Sequence, residues 1–292
     1  MKIRPSDSRL NELLKLAREG KRTLIMGVLN TTPDSFSDGG EFLNAESALK
    51  QASRMVEEGA DIIDVGGEST RPSTFRVHSP LDSSIEMKRI LPVIAEIRDR
   101  FPYMPISVDT YKADVARDAM ESGSNMVNDI SAMRHDPEML PLVLKANLPV
   151  CLMHIPGLPT RIPDNPVYTD VVSDVLSHLL SCAAGAESAG IKRNNIIIDP
   201  GIGFGKSLFE NLALLRHLDQ FTKSPYLTLV GTSRKSFIGK ILGDLPVNER
   251  VEGTAATVAL AIQHGVGIVR VHDVLEMSRV VRVSDAITRG IH

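Results

Sequence analysis

Polar and charged side chains recur where short apolar runs stop: Asn30, Thr70 and Arg71, Asp109, Asn128, His154, Asp199, Ser233 and Lys235, then Arg270 and His272. Asp109, Asn128 and Asp199 are acceptors, and Asn128 can also donate. Such a set suits a flat heterocycle rich in N–H groups, which a carboxylate meets in bidentate fashion. Lys235 offers a donor for a ring carbonyl or nitrogen. Arg71, Arg270 and His272 suit an anion with several oxygens, such as a phosphate or diphosphate. Asn30 brings an amide oxygen, which Mg2+ accepts when substrate phosphates supply the negative charge. The residue types thus describe one substrate with a polar heterocycle at one end and a diphosphate at the other. The plain alternative is that polar residues simply resume after each strand. That accounts for a Ser or an Asn but poorly for so many charges, which at one mouth must be paired or liganded.

The elements that would hold these residues alternate regularly. Apolar, β-branched runs predict strands over 24–29, 61–67, 105–108, 125–127, 149–153, 195–198, 226–230 and 267–271. Helical periodicity predicts helices over 45–59, 84–100, 112–122, 137–146, 167–190, 208–218, 247–264 and 274–287. In helix 84–100 the buried stripe is Ile85, Ile90, Leu91, Ile94 and Ile97. Eight such units point to an α/β fold, a (β/α)8 TIM barrel, close to the typical ~250 residues plus an extension over 1–22. In that extension Leu10, Leu13, Leu14 and Leu16 predict a short amphipathic helix. A doubly wound sheet would carry a Gly-rich turn after its first strand, which Asn30-Thr31-Thr32-Pro33 is not. No linker or composition shift interrupts 1–292, so one domain is expected. In a parallel barrel all strand ends open on one face, and that face carries the site.

The first strand runs into a long polar loop with two glycines, over 30–40, and Phe36 as its one apolar group. A loop of that length is more often functional than a plain connection. Net charge is −3, with no basic stripe and no Trp, which argues against a nucleic-acid partner. No apolar run is long enough to span a bilayer and the N-terminus is too charged for a signal peptide, so no membrane association is expected. Cys151 and Cys182 form no framework and read as core thiols in a reducing cytoplasm.

Several runs along the chain form one pattern. One signature is Met26 through Gly40, read MGVLNTTPDSFSDGG; a second is Gly59 through Pro72, read GADIIDVGGESTRP. Further matches are Ser107-Val108-Asp109-Thr110, Asn128-Asp129, Met153-His154, Asp199 to Lys206 (DPGIGFGK), Ser233-Arg234-Lys235-Ser236 and Arg270-Val271-His272-Asp273. In these runs the chain resembles the dihydropteroate synthases, and the resemblance implies a (β/α)8 barrel that joins 6-hydroxymethyl-7,8-dihydropterin diphosphate to p-aminobenzoate, with Mg2+ as cofactor and sulfonamides as inhibitors. By position, Asp109, Asn128, Asp199 and Lys235 would hold the pterin, with Met153 packed on it. Asn30 would bind Mg2+ together with the diphosphate, and Thr70, Arg270 and His272 would hold that leaving group. Phe36, Thr70, Arg71, Pro72, Phe204 and Ser233 would form the p-aminobenzoate pocket. Asp109, Lys235, Arg270 and His272 would be the catalytic set, and the loops 31–39 and 70–77 would be lids. The family also suggests a homodimer, here through an apolar face of Val274, Leu275 and Val280. The run from Ser73 to Asp82 is a few residues longer than the family's usual pattern.

Other readings stand beside this one. A methyltetrahydrofolate:corrinoid methyltransferase would share the acceptor set but has no use for a diphosphate grip. A silent pterin-binding paralogue would have lost parts of its loops. The Gly201–Ser207 run imitates a dinucleotide turn and a P-loop, but Lys206 and Pro200 break the two patterns. His135, His178, His217 and His264 read as isolated surface or core histidines, Lys206 as a solvated or helix-start charge. His154 reads equally as a ligand contact or a hydrogen-bonded residue of the mouth.

Overall fold

The computed structural model describes residues 4–32, 41–69, 80–159, 163 and 166–290, with the backbone alone for 41–45. Eight parallel strands close into a barrel in chain order. They are β1 (Leu24–Asn30), β2 (Ile62–Gly66), β3 (Ile106–Asp109), β4 (Met126–Asp129), β5 (Val150–Met153), β6 (Ile196–Asp199), β7 (Leu227–Val230) and β8 (Ile268–Val271). The ring is sealed by pairing β1 with both β2 and β8, for example Met26 opposite Ile62 and Met26 opposite Arg270.

The helices are α1 (Pro5–Arg18), α2 (Glu41–Glu57), α3 (Ser83–Arg100), α4 (Ala113–Ser122), α5 (Met139–Ala146), α6 (Val171–Ser188), α7 (Leu208–Arg216), α8 (Leu218–Thr222), α9 (Ser236–Ile241), α10 (Val251–Gln263) and α11 (Val274–Thr288). Local chemistry sets several starts. Asp82 and Asp170 accept from Ser84 N and Val172 N, and Ser207 with Glu210 forms a capping box. The Asp170 cap therefore delays α6 past the expected start at 167. Pro137 lies two residues before α5 rather than in its first turn. The short α9 falls between the expected strand over 226–230 and the expected helix over 247–264, where the sequence predicted no element.

Two apolar layers follow from the strands' period of two. Ile25, Ile63, Val108, Val127, Leu152, Ile198 and Val269 face outward and pack under the helices. Leu24, Met26, Ile62, Met126, Cys151, Ile197, Leu229 and Ile268 face inward, and α1 plugs them with Leu10, Leu13, Leu14 and Ala17. The inward positions two residues further on are Asp64, Asn128, Met153, Asp199 and Arg270. The pleat that fills the base of the barrel thus delivers polar groups to its mouth.

Two expectations change. Ile85 is 42% exposed, and Glu86 is buried in the α3 stripe instead, because the Lys112 ammonium pairs with it at 2.6 Å. Val274 is wholly buried in the outer core, so it supplies no surface for a second copy; the exposed apolar residues of α10 and α11 are Leu260, Val283 and Ile287. Among the described residues no helix is long and apolar enough to cross a membrane.

Candidate active site

The mouth is organised around one guanidinium. Arg270 projects inward from β8 and donates through Nε to Asp64 Oδ2 and through Nη2 to Asp109 Oδ2, each at 2.7 Å. Asn128 Nδ2 reaches the same Asp64 oxygen at 3.1 Å. Two carboxylates on one cation leave a net negative cluster in a nearly dry place, since Asp64 and Asp109 are 0% and 7% exposed. Burial, which Arg270 offsets only in part and the Asp64 charge aggravates, pushes Asp109 up to about 7. Asp64 Oδ1 and Asp109 Oδ1 are both buried without a hydrogen-bond partner. Two orphaned acceptors side by side are costly unless a donor-rich ligand meets them.

Asp199 ends β6 in register with Met153 on β5. One of its oxygens accepts from Gly201 N at 2.8 Å. Burial raises its pKa, while Lys235 and then Arg270 hold it down. Lys235, just before α9, bonds the carbonyl of Ile202, and its ammonium lies 4.8 Å from the centre of the Phe204 ring. Burial lowers its pKa to about 8. Met153 packs with Tyr111, Ile130 and Ile155, and Phe204 closes that apolar wall. A flat ring would find acceptors at its edges, an ammonium, and a thioether wall here.

Ser233 and His272 form the next sector. Ser233 Oγ lies 3.1 Å from both the backbone N and Nδ1 of His272. Asn30 ends β1 opposite Gly66, which in turn faces Asp109 on β3. Among the described residues no cluster of three His, Cys, Asp or Glu could hold a metal. Asn30 contributes one neutral oxygen at the rim, so a hard cation there would need oxygens from its substrate.

Asp109, Asn128, Met153, Asp199, Phe204, Lys235 and Arg270 are therefore brought together, with Ser233 and His272 beside them. Phe36, Thr70, Arg71 and Pro72 lie outside the described residues, as do most of both loops read as lids. Arg270 sits among the ring acceptors, with two of its donors committed to carboxylates, rather than standing apart as an anion grip.

Sequence reasoning missed Asp64. The signal was there: Ile62 is an inward position of β2, so Asp64 two residues on must face inward too. It also misplaced one cation and a histidine, and it passed over Lys112. The Lys206 ammonium is turned in on three carbonyls rather than solvated. Lys112 bonds Glu68, Glu86 and the carbonyl of Leu81, where Tyr111 also reaches Glu68. His178 is not isolated; its ring meets that of His154 edge-on with centres 5.1 Å apart. Burial drives the pKa of His154 down to about 2, so it is neutral.

Comparison with known proteins agrees with this geometry. The pterin binding enzyme family model matches residues 26–272. The dihydropteroate synthase of Clostridium beijerinckii is 47% identical over 92% of this chain and 96% of its own. Among solved structures, the Clostridium difficile dihydropteroate synthase in the presence of pteroic acid is 46% identical, with a TM-score of 0.85 over 92% of this chain and 98% of its own. That of Xanthomonas albilineans with 4-aminobenzoic acid is 40% identical, with a TM-score of 0.85 over 94% and 95% of the two chains. The acceptor ring, its guanidinium and these likenesses agree, and the chain belongs to the dihydropteroate synthases of the pterin-binding enzyme family.

Proposed function

We propose that this chain condenses 6-hydroxymethyl-7,8-dihydropterin diphosphate with p-aminobenzoate, giving 7,8-dihydropteroate and diphosphate. The observation that carries the reading is the pair of buried carboxylate oxygens, on Asp64 and Asp109, that have no donor of their own. A pterin edge supplies N–H groups that fit them, and Asn128 and Asp199 extend the same row of acceptors.

The C–O bond at the exocyclic methylene breaks and diphosphate leaves with the electron pair. The aryl amine then forms the C–N bond and loses a proton to solvent. No protein nucleophile is needed; positioning and electrostatics are the catalytic terms. The negative Asp64–Asp109 cluster favours positive charge developing on the ring, and Met153 and Phe204 keep water from its face. His272, which Ser233 steadies, and Arg270 serve the leaving group in this reading. Asn30 would hold Mg2+ jointly with the diphosphate oxygens, and the metal when bound supplies charge stabilisation for the departing anion. Phe204 and Ser233 serve the p-aminobenzoate side; the family pattern assigns Phe36, Thr70, Arg71 and Pro72 to the same role, and these lie outside the described residues.

A homodimer and a cytoplasmic location belong to the same reading. Exposed Leu260, Val283 and Ile287 support the first, and the free thiols of Cys151 and Cys182 support the second. The test is a synthase assay on the purified chain, with and without Mg2+. Dihydropteroate should form with the metal and fall on chelation. Tight pterin binding without any product would instead identify a silent paralogue.

A further inference from the structure

The turn after β6 is pinned at nearly every peptide. Gly201 has a left-handed φ of +67°, and a Cβ there would lie 2.0 Å from the carbonyl oxygen of His154, so only glycine lets the turn lie against the end of β5. Its N–H groups are used: Gly201 donates to Asp199, Gly203 to Asn211 at 2.6 Å, and Phe204 to Gly201 O at 3.1 Å. Its carbonyls converge on one ammonium. Lys206 Nζ donates to Gly201 O at 2.9 Å, to Phe204 O at 3.1 Å and, across to β5, to His154 O at 3.4 Å.

All three bonds of Lys206 end on carbonyl oxygens, and among the described residues no carboxylate is in ion-pair contact with it. Holding a cation on dipoles alone is costly, and an apolar side chain would fill the same space more cheaply. Burial lowers the ammonium's pKa to about 7; Asp199 and Glu210 favour the charge, and Lys235 opposes it. His154 and His178 also face it, and burial lowers the pKa of both. The cation must therefore do something a hydrophobe cannot, which here is to tie three carbonyls at once.

We propose that Lys206 is a positioning residue for the p-aminobenzoate side of the site: it holds the 201–206 turn in the shape that stands Phe204 against the Met153 wall and under Lys235. This rests on Phe204 bordering that pocket, as proposed above. Through Ile202 O the same turn also carries the partner of Lys235, so both lysines bond carbonyls of this turn.

The test uses Lys206→Met, Lys206→Arg and Phe204→Ala in the full chain, with the KM of each substrate and the thermal midpoint. Lys206→Met should raise the KM for p-aminobenzoate about tenfold while the KM for the pterin diphosphate stays within about twofold. Lys206→Arg keeps the charge and should stay within about threefold for both. An unchanged p-aminobenzoate KM in folded Lys206→Met overturns the inference, and so does an equal rise for both substrates. An unchanged p-aminobenzoate KM in Phe204→Ala overturns the pocket assignment instead. Should Lys206→Met not fold, Lys206→Gln decides: a selective rise of about tenfold in the p-aminobenzoate KM at the wild-type midpoint supports the role, and unchanged KM values for both substrates refute it.

Discussion

The two ends of the barrel place similar residues under opposite rules. At the base, Asp61 accepts Arg22 Nη2 at 2.8 Å on each oxygen and Ile25 N at 3.0 Å on one. Asp285 takes Thr23 N, Thr23 Oγ1 and Arg289 Nε. Every oxygen of these two carboxylates has a donor, although Asp7 Oδ1 on α1 is buried without one, and the four buried apolar residues of α1 seal the barrel beside them. At the mouth, Asp64 and Asp109 share one guanidinium and each keeps a buried oxygen with no donor. Asp61 and Asp285 are finished by the chain itself, whereas Asp64 and Asp109 await a ligand. The comparison teaches where stability and activity should part company under mutation.

The sharpest break in that contrast is Asp109→Asn. It removes a charge the ring needs but relieves a net negative, desolvated cluster. Turnover should fall about a thousandfold, with the thermal midpoint unchanged or raised. Wild-type rates would sink the pterin assignment. The mirror image is Leu13→Ala in the plug. A cavity at the base should cost about 2–5 kcal/mol in denaturant unfolding, with kcat per folded molecule unchanged. A selective loss of kcat would show that the two ends are not separable.

The smallest effect is with pH. Asp109 keeps its proton up to about 7 when folded, whereas an unfolded aspartate loses it near ~3.9. Its folded pKa is raised, so the free enzyme loses stability as pH climbs between those values. A ring that donates to the carboxylate pulls the pKa back down. Pterin affinity should therefore rise with pH to a plateau above about 7, by several-fold per pH unit at most, with a proton released on binding at pH 6. Calorimetry in two buffers of different ionisation enthalpy reads that proton directly. No release at pH 6 would mean that Asp109 is already charged in the free enzyme.

Much of this was legible beforehand because barrel strands are read by local rules. Short β-branched runs alternating with helical stripes gave the eight units, and their polar last residues marked the mouth. The failures arise where tertiary contacts, rather than local periodicity, decide a side chain's place. Ile85 looked better buried than Glu86 until Lys112, 26 residues away, was seen to pair with the carboxylate. Lys206 looked solvated because the carbonyls that cap it belong to a turn and to the end of a neighbouring strand. Val274 looked like a surface residue because a helix stripe does not say which side meets the barrel.

The sequence by itself determined the class of fold, the order of the strands and the chemical types at their ends, since these depend on periodicity and composition within a few residues. Only the tertiary structure decided that Arg270 serves Asp64 and Asp109 together, and that two of their oxygens are left waiting. Partners brought together from 161 and 206 residues apart are set by closure of the barrel, and no local pattern encodes which charges will then share one dry space.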